Sequence, residues 1–324
     1  MTDMTISRRK FIRNAAMAAS AVSLAPWSAN ITRGAARSRV VFSHTAVPEG
    51  REEAVRCLHA LDRGMEALLQ RPVREAWASL FSSSDVVGLK VSCLAGRKFS
   101  THVALVQAIC TRLEDIGLKK GQIIIWDRLD SDLDNAGFVL NRNPQKILCM
   151  GNDAVGYSRE LYEYGSACSR LSRLVTERCT AIINLPVLKD HGIVGISAGL
   201  KNFFGAIDNP NKYHVACGDP YVADVNMFAP LRDKVRLTIC DAMLAQYEGG
   251  PPYMRQWNWP YQKLLLTQDM VALDRLSWNI IAKKRRQSGL PSLEETGRTP
   301  GYIHTAALHG LGNDDMKQIE VVET

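Results

Sequence analysis

The residues best equipped for chemistry crowd into one segment. Between Asn184 and Asn202 the chain carries Lys189, His191 and Lys201, the carboxamides of Asn184 and Asn202, and glycines at 192, 195 and 199. Ammonium groups attract carboxylate or phosphate, carboxamides orient it, and glycine lets backbone N–H groups approach it closely. This combination predicts a pocket for a small anion. Lys189 and His191 stand two positions apart, and such a pair moves protons if the lysine is pulled toward neutrality by burial or by a neighbouring cation such as Lys201. In a second arrangement both lysines stay charged and clamp an acidic substrate while His191 handles the proton. His214, followed by Cys217 and Asp219, adds an imidazole from a loop. Asp241, at a strand end, orients a histidine, binds a cation or caps the turn into Ala242. The plain alternative is that the two lysines are solvated surface charges and His191 caps a turn.

Elements that could position these groups are read from hydrophobic period. Helices are expected over 52–70, 72–81, 101–116, 171–179, 269–286 and 299–309. Strands are expected over 40–43, 85–91, 122–126, 146–150, 181–185, 235–240 and 318–322. Alternation of this kind predicts an α/β fold, a mostly parallel sheet with helices on both faces. Ligands in such sheets collect beyond the carboxyl ends of the strands, where 184–202 and Asp241 fall. Lys189 and His191 are assigned to a loop there, and Lys201 and Asn202 to a helix-like segment.

Asn184-Leu185-Pro186-Val187-Leu188-Lys189 with His191 close behind, and Gly199-Leu200-Lys201-Asn202-Phe203-Phe204-Gly205, resemble motifs of the domain-of-unknown-function 362 family. The resemblance continues through Tyr213-His214, Asp241, Gly249-Gly250-Pro251, the helix start at Asp269 to Asp274 and Gly310-Leu311-Gly312, and covers roughly Asp85 to the C-terminus. It implies a fold and a ligand site around the residues just named, without a fixed activity. Some members carry ferredoxin-like cysteine motifs. Here no two of the eight cysteines are closer than eleven positions, so no iron–sulfur or zinc ligand pair is present and no cofactor is assigned. Buried free thiols are expected instead.

The chain has 324 residues, 46% of them hydrophobic, which excludes a disordered tail, a fibre or a small disulfide scaffold. Its formal charge of +7 is concentrated at one end. Ser7-Arg8-Arg9-Lys10-Phe11-Ile12-Arg13, an uncharged stretch from Ala15 to Ala25 and small residues at 34–36 match a twin-arginine export signal. Residues 1–36 are therefore read as a signal peptide handled by the twin-arginine translocase, and 37–324 as a single α/β domain. The destination would be the periplasm or the exterior of a prokaryotic cell, with no stable membrane anchor. Without its five basic residues and Asp3, the remainder keeps a surplus of three positive charges. A small anion in a pocket then suits the charge better than nucleic acid, for which no aromatic-interleaved basic motif is present. Lys283-Lys284-Arg285-Arg286 reads as a helix C-terminus complementing the helix dipole. Asp127, Asp130, Asp132 and Asp134 lack the glycine and glutamate of a calcium loop and read as helix capping and solvation. Trp257, Trp259 and Tyr261 read as loop packing, with a lid over the pocket as the alternative. Two functional classes remain: an exported enzyme using Lys/His proton transfer or redox chemistry on a small anion, and a non-catalytic accessory protein that carries a cofactor or captures a solute.

Overall fold

Short aliphatic runs become the strands of a ten-stranded sheet in the computed structural model, which describes residues 37–45 and 53–324. The twelve strands are β1 (Ser38–His44), β2 (Val87–Lys90), β3 (Ile123–Asp127), β4 (Leu148–Gly151), β5 (Tyr162–Tyr164), β6 (Ala167–Ser169), β7 (Ala181–Asn184), β8 (Val187–His191), β9 (Gly195–Ser197), β10 (Val235–Gln246), β11 (Asn258–Thr267) and β12 (Ile319–Glu323). The main path runs β12-β1-β11-β10-β7-β2-β3-β4, with β8 and β9 branching from β10 and with β5 and β6 forming a separate hairpin. From β10 through β7, β2 and β3 to β4 the pairing is parallel, whereas β11 runs antiparallel to both of its neighbours. The expected α/β architecture is borne out.

Successive strand residues point to opposite faces, and each face has its own cover. Leu89, Ile123, Ile183 and Ile239 pack with Leu61, Met65, Leu105 and Ile109, from the helices Glu53–Leu69 and Val103–Asp115. Ile124, Trp126, Ile182 and Leu265 pack on the other side with Leu273, Leu276 and Tyr302, from the helices Met270–Gln287 and Tyr302–Leu308. Burial on both faces explains why these strands read as continuous apolar runs.

Four elements depart from expectation. Lys189 and His191 lie on strand β8, not in a loop. All five β8 residues are buried, so its charged members erase the apolar pattern by which a buried strand is recognised. Residues 171–179 form one π-helical turn, Leu174–Arg178, because Leu171 bridges to Ile207 and Ser172 donates its amide to the carbonyl of Ala206. Strand β10 runs on to Gln246, and β11 takes up the stretch holding Trp259 and Tyr261. The expected signal peptide lies outside the described residues. Among those described, no helix is long and apolar enough to cross a membrane.

Candidate functional site

Beyond the carboxyl ends of β2, β3 and β8 lies a cavity of about 420 Å³. Lys90 ends β2, Asp127 ends β3, Asn184 ends β7, and β8 brings Lys189 and His191. The short 3-10 helix Lys201–Ala206 lays Lys201, Asn202 and Phe204 along another wall. The expected ligand end of the sheet is thus where the cavity opens.

A buried polar network fixes its floor. Lys90 Nζ donates to Asp127 Oδ1 at 2.7 Å, to the carbonyl of Val91 at 2.6 Å and to Asn202 Oδ1 at 3.3 Å. Asp127 also accepts the backbone amides of Cys93 and Arg128. Asn202 Nδ2 donates to the carbonyl of Lys90 and to Asn184 Oδ1, while Asn184 Nδ2 donates to the carbonyl of Gly199. Asn184 does not line the cavity; it holds Asn202, which does. Gly205 closes against this pair, since a Cβ there would come within 2.9 Å of Lys90 Nζ and 3.1 Å of Asp127 Oδ1. The glycine that ends the Lys201–Gly205 run is needed for close approach.

The other two amines are differently served. Lys189 Nζ, 2% exposed as a residue, reaches Ser92 Oγ at 3.5 Å. Lys201 Nζ has no hydrogen-bond acceptor among the described residues and sits 4.2 Å from the centroid of the Phe204 ring. Neither makes an ion pair among the described residues. Burial pulls Lys189 down to about 8. Burial, and then the charges of Lys189 and Lys90, pull Lys201 down to about 7.

Two imidazoles face each other nearby, His191 and His214, with centroids 5.3 Å apart and planes 27° from parallel. His191 Nδ1 accepts the amides of Ile193 and Val194, so in its neutral form Nε2 carries the proton. His214 Nδ1 faces the carbonyls of Pro210 and Asn211, which accept only from N–H, so its Nε2 is the free acceptor. One ring is therefore a donor and the other an acceptor. Burial, then the neighbouring cations, hold His191 neutral down to about pH 2, and burial and Lys201 lower His214 as well.

Of the expected residues, Lys189, His191, Lys201, Asn202 and His214 line one cavity. Asp241 does not, which corrects its assignment to the ligand site. Its Oδ2 accepts the amide of His102 at 2.8 Å and faces His102 Nδ1 at 2.7 Å, and its Oδ1 accepts the amide of Met243. Asp241 orients a histidine, but one at a different place. Burial opposes the charge on His102, yet Asp241 outweighs it and raises His102 to about 9. Lys90 and Ser92 were not identified by sequence reasoning, and Asp127, read there as helix capping and solvation, is instead buried in an ion pair with Lys90. The available signal was a lysine ending an apolar strand, Val86-Val87-Gly88-Leu89-Lys90, where solvent exposure is the usual outcome.

The remaining features resolve simply. Asp130 starts the helix Asp130–Ala136 and accepts the amide of Gly151, and Asp132 lines the cavity. Among the described residues no three of His, Cys, Asp or Glu are grouped to hold a metal. All eight cysteines are free and six are buried. Trp257, Trp259, Tyr261 and Tyr247 make edge-to-face contacts and pack on the core; Trp257, Trp259 and Tyr261, for which a lid was the alternative reading, do not line the cavity. The basic run does close the helix Met270–Gln287, and Arg285 within it does more than complement the dipole. It is buried, donating to Glu248 and to the carbonyls of Tyr247 and Pro291.

No curated protein matches this chain. A crystal structure of a Thermotoga maritima protein from the Northeast Structural Genomics Consortium is similar at 12% identity, with a TM-score of 0.40. The match covers 67% of this chain and 58% of that one, so it spans less than two thirds of the relative. The domain of unknown function DUF362 matches residues 87–279, which include the cavity-forming strands and both central motifs, and the chain belongs to that family.

Proposed function

We propose that this chain is an exported enzyme that binds a small anionic substrate, a carboxylate or phosphate ester, in the cavity and exchanges protons with it through its lysines and histidines. The observation that carries this reading is the pair of buried amines, Lys189 and Lys201, that have no carboxylate partner among the described residues. A buried cation without a counter-ion is costly, and an entering anion supplies the missing charge. Lys90, already neutralised by Asp127, keeps Asn202 in place as an orienting group. His191 then offers a hydrogen bond from Nε2–H and His214 a lone pair, which gives an oxyanion donor and a base within one cavity. At neutral pH Lys201 is divided between amine and ammonium, so it too can donate or accept.

Thermal melts with phosphate, succinate and lactate test the site. The wild-type chain should be stabilised by at least one of them, and the double variant Lys189→Ala, His191→Ala should lose that response while keeping its circular dichroism spectrum. An unchanged response in the double variant overturns the site. Residues 1–36 are proposed as the twin-arginine signal and 37–324 as the exported domain. Fused to a reporter, 1–36 should direct it out of the cytoplasm, and Arg8→Lys with Arg9→Lys should retain it; export indifferent to both arginines refutes that route.

A further inference from the structure

Three lysines share the cavity, and they differ in how many acceptors each can reach. An ammonium group carries three donors. Lys90 uses three, on Asp127, Val91 and Asn202. Lys189 uses one, on Ser92 at 3.5 Å. Lys201 uses none among the described residues and lies against the Phe204 ring, buried, with the other two amines lining the same cavity. A buried amine with cationic neighbours and no acceptor is best accommodated as neutral –NH2, whose lone pair is free. The low value of about 7 for Lys201 agrees with that.

We infer that Lys201 is a covalent nucleophile that forms a Schiff base with a small aldehyde or ketone bearing a carboxylate or phosphate group. The inference rests on the anion-binding reading and narrows its substrate to anionic carbonyl compounds. Lys201 Nζ forms a C–N bond to the carbonyl carbon while the C=O π pair moves to oxygen. That oxygen takes a proton, and the nitrogen gives one up to a base. The hydroxyl then leaves as water with the second proton of the nitrogen, carried over by the same base, so amine and carbonyl become imine and water with no change in oxidation state. His214 Nε2 accepts each proton from nitrogen and passes it to oxygen, and His191, with its proton on Nε2, hydrogen-bonds the developing alkoxide. Lys189, which has no carboxylate partner among the described residues, supplies positive charge for the carboxylate or phosphate.

Borohydride reduces an imine to a stable secondary amine, so the full chain is incubated with glyoxylate, pyruvate or pyridoxal phosphate and borohydride, then digested for peptide mass spectrometry. At about pH 7.5 an adduct on Lys201 is expected at least about tenfold faster than on lysines near the ordinary value, and about threefold faster than on Lys189, because its neutral fraction is larger. Succinate or phosphate should slow its formation, and Lys201→Met should abolish it. Mapping on the wild-type chain keeps the test valid even if that variant fails to fold. Adducts spread over many lysines, or centred on Lys189, overturn the inference. So does the absence of any Lys201 adduct in a protein that succinate, lactate or phosphate still stabilises, and that result leaves the anion reading standing. If none of these anions stabilises the protein, the anion reading itself has failed.

Discussion

Replacing Lys90 by methionine keeps a long side chain and deletes the charge that faces Asp127 at 2.7 Å. Asp127 is then a buried carboxylate without a cation, and the carbonyl of Val91 and Asn202 Oδ1 lose a donor. Removing one partner of a buried pair costs about 3–5 kcal/mol. Asp127 retains two short backbone bonds, from Cys93 at 2.7 Å and Arg128 at 2.8 Å, so the lower end, about 3 kcal/mol, applies here. At roughly 2–4 °C per kcal/mol for a domain of this size, the melting temperature should fall by roughly 6–12 °C. Urea unfolding of the wild type, Lys90→Met, Asp127→Asn and the double variant completes a cycle, in which the double variant should be more stable than the two single losses added together. Coupling below about 0.5 kcal/mol is ordinary additivity between independent sites. That result, or a loss below about 1 kcal/mol in Lys90→Met alone, would refute the claim that this pair holds the floor of the cavity.

Lys201 and Lys189 carry fewer protons in the folded chain than in the unfolded one, from about pH 7 and about pH 8 respectively up to the ordinary lysine range near about 10.4. Stability should therefore rise with pH across that window, and Lys201→Met should flatten the part that begins near pH 7, as read by urea melts between about pH 6 and about pH 10. Gly205→Ala should displace Lys90 or Asp127 and lower stability by about 1–3 kcal/mol, whereas an unshifted melt would place the backbone at 205 farther from the pair. Asp241→Asn should bring the pKa of His102 down from about 9, seen by NMR titration, and leave anion-induced stabilisation unaltered; loss of the anion response would return Asp241 to the ligand site.

The sheet is legible in the sequence because its central strands are buried on both faces and bounded by turns, as at Ala181–Asn184 and Ile123–Asp127. Five cavity residues are legible because they crowd into a short polar span beside one such strand. Strand β8 is not, since Lys189, Asp190 and His191 are buried charges and imidazole where the hydrophobic pattern demands aliphatics. Lys90 escapes notice for the same reason: its partner Asp127 lies 37 residues on and its other partner Asn202 lies 112 on. Asp241 was rightly suspected of orienting a histidine, but the ring it meets is 139 residues away, and no local spacing records that contact.

Gln246 is fully buried and braces one side of the cavity. Its backbone is in register with Lys189, while its side chain donates to the carbonyl of Pro252 and accepts the amide of Met254. The neighbouring amide of Gly250 is tied to Asp190, and that of Gly192 to the carbonyl of Gly250. Lys189, His191 and Pro251 therefore belong to one braced jaw. The opposing jaw runs through Asn211 and His214 toward Ala216 and Cys217, which hold left-handed backbone angles without being glycine. The Lys189 side of the cavity is accordingly cross-tied by backbone and side-chain hydrogen bonds, whereas the His214 side is carried on the segment Pro210–Gly218, in which two left-handed residues are not glycine.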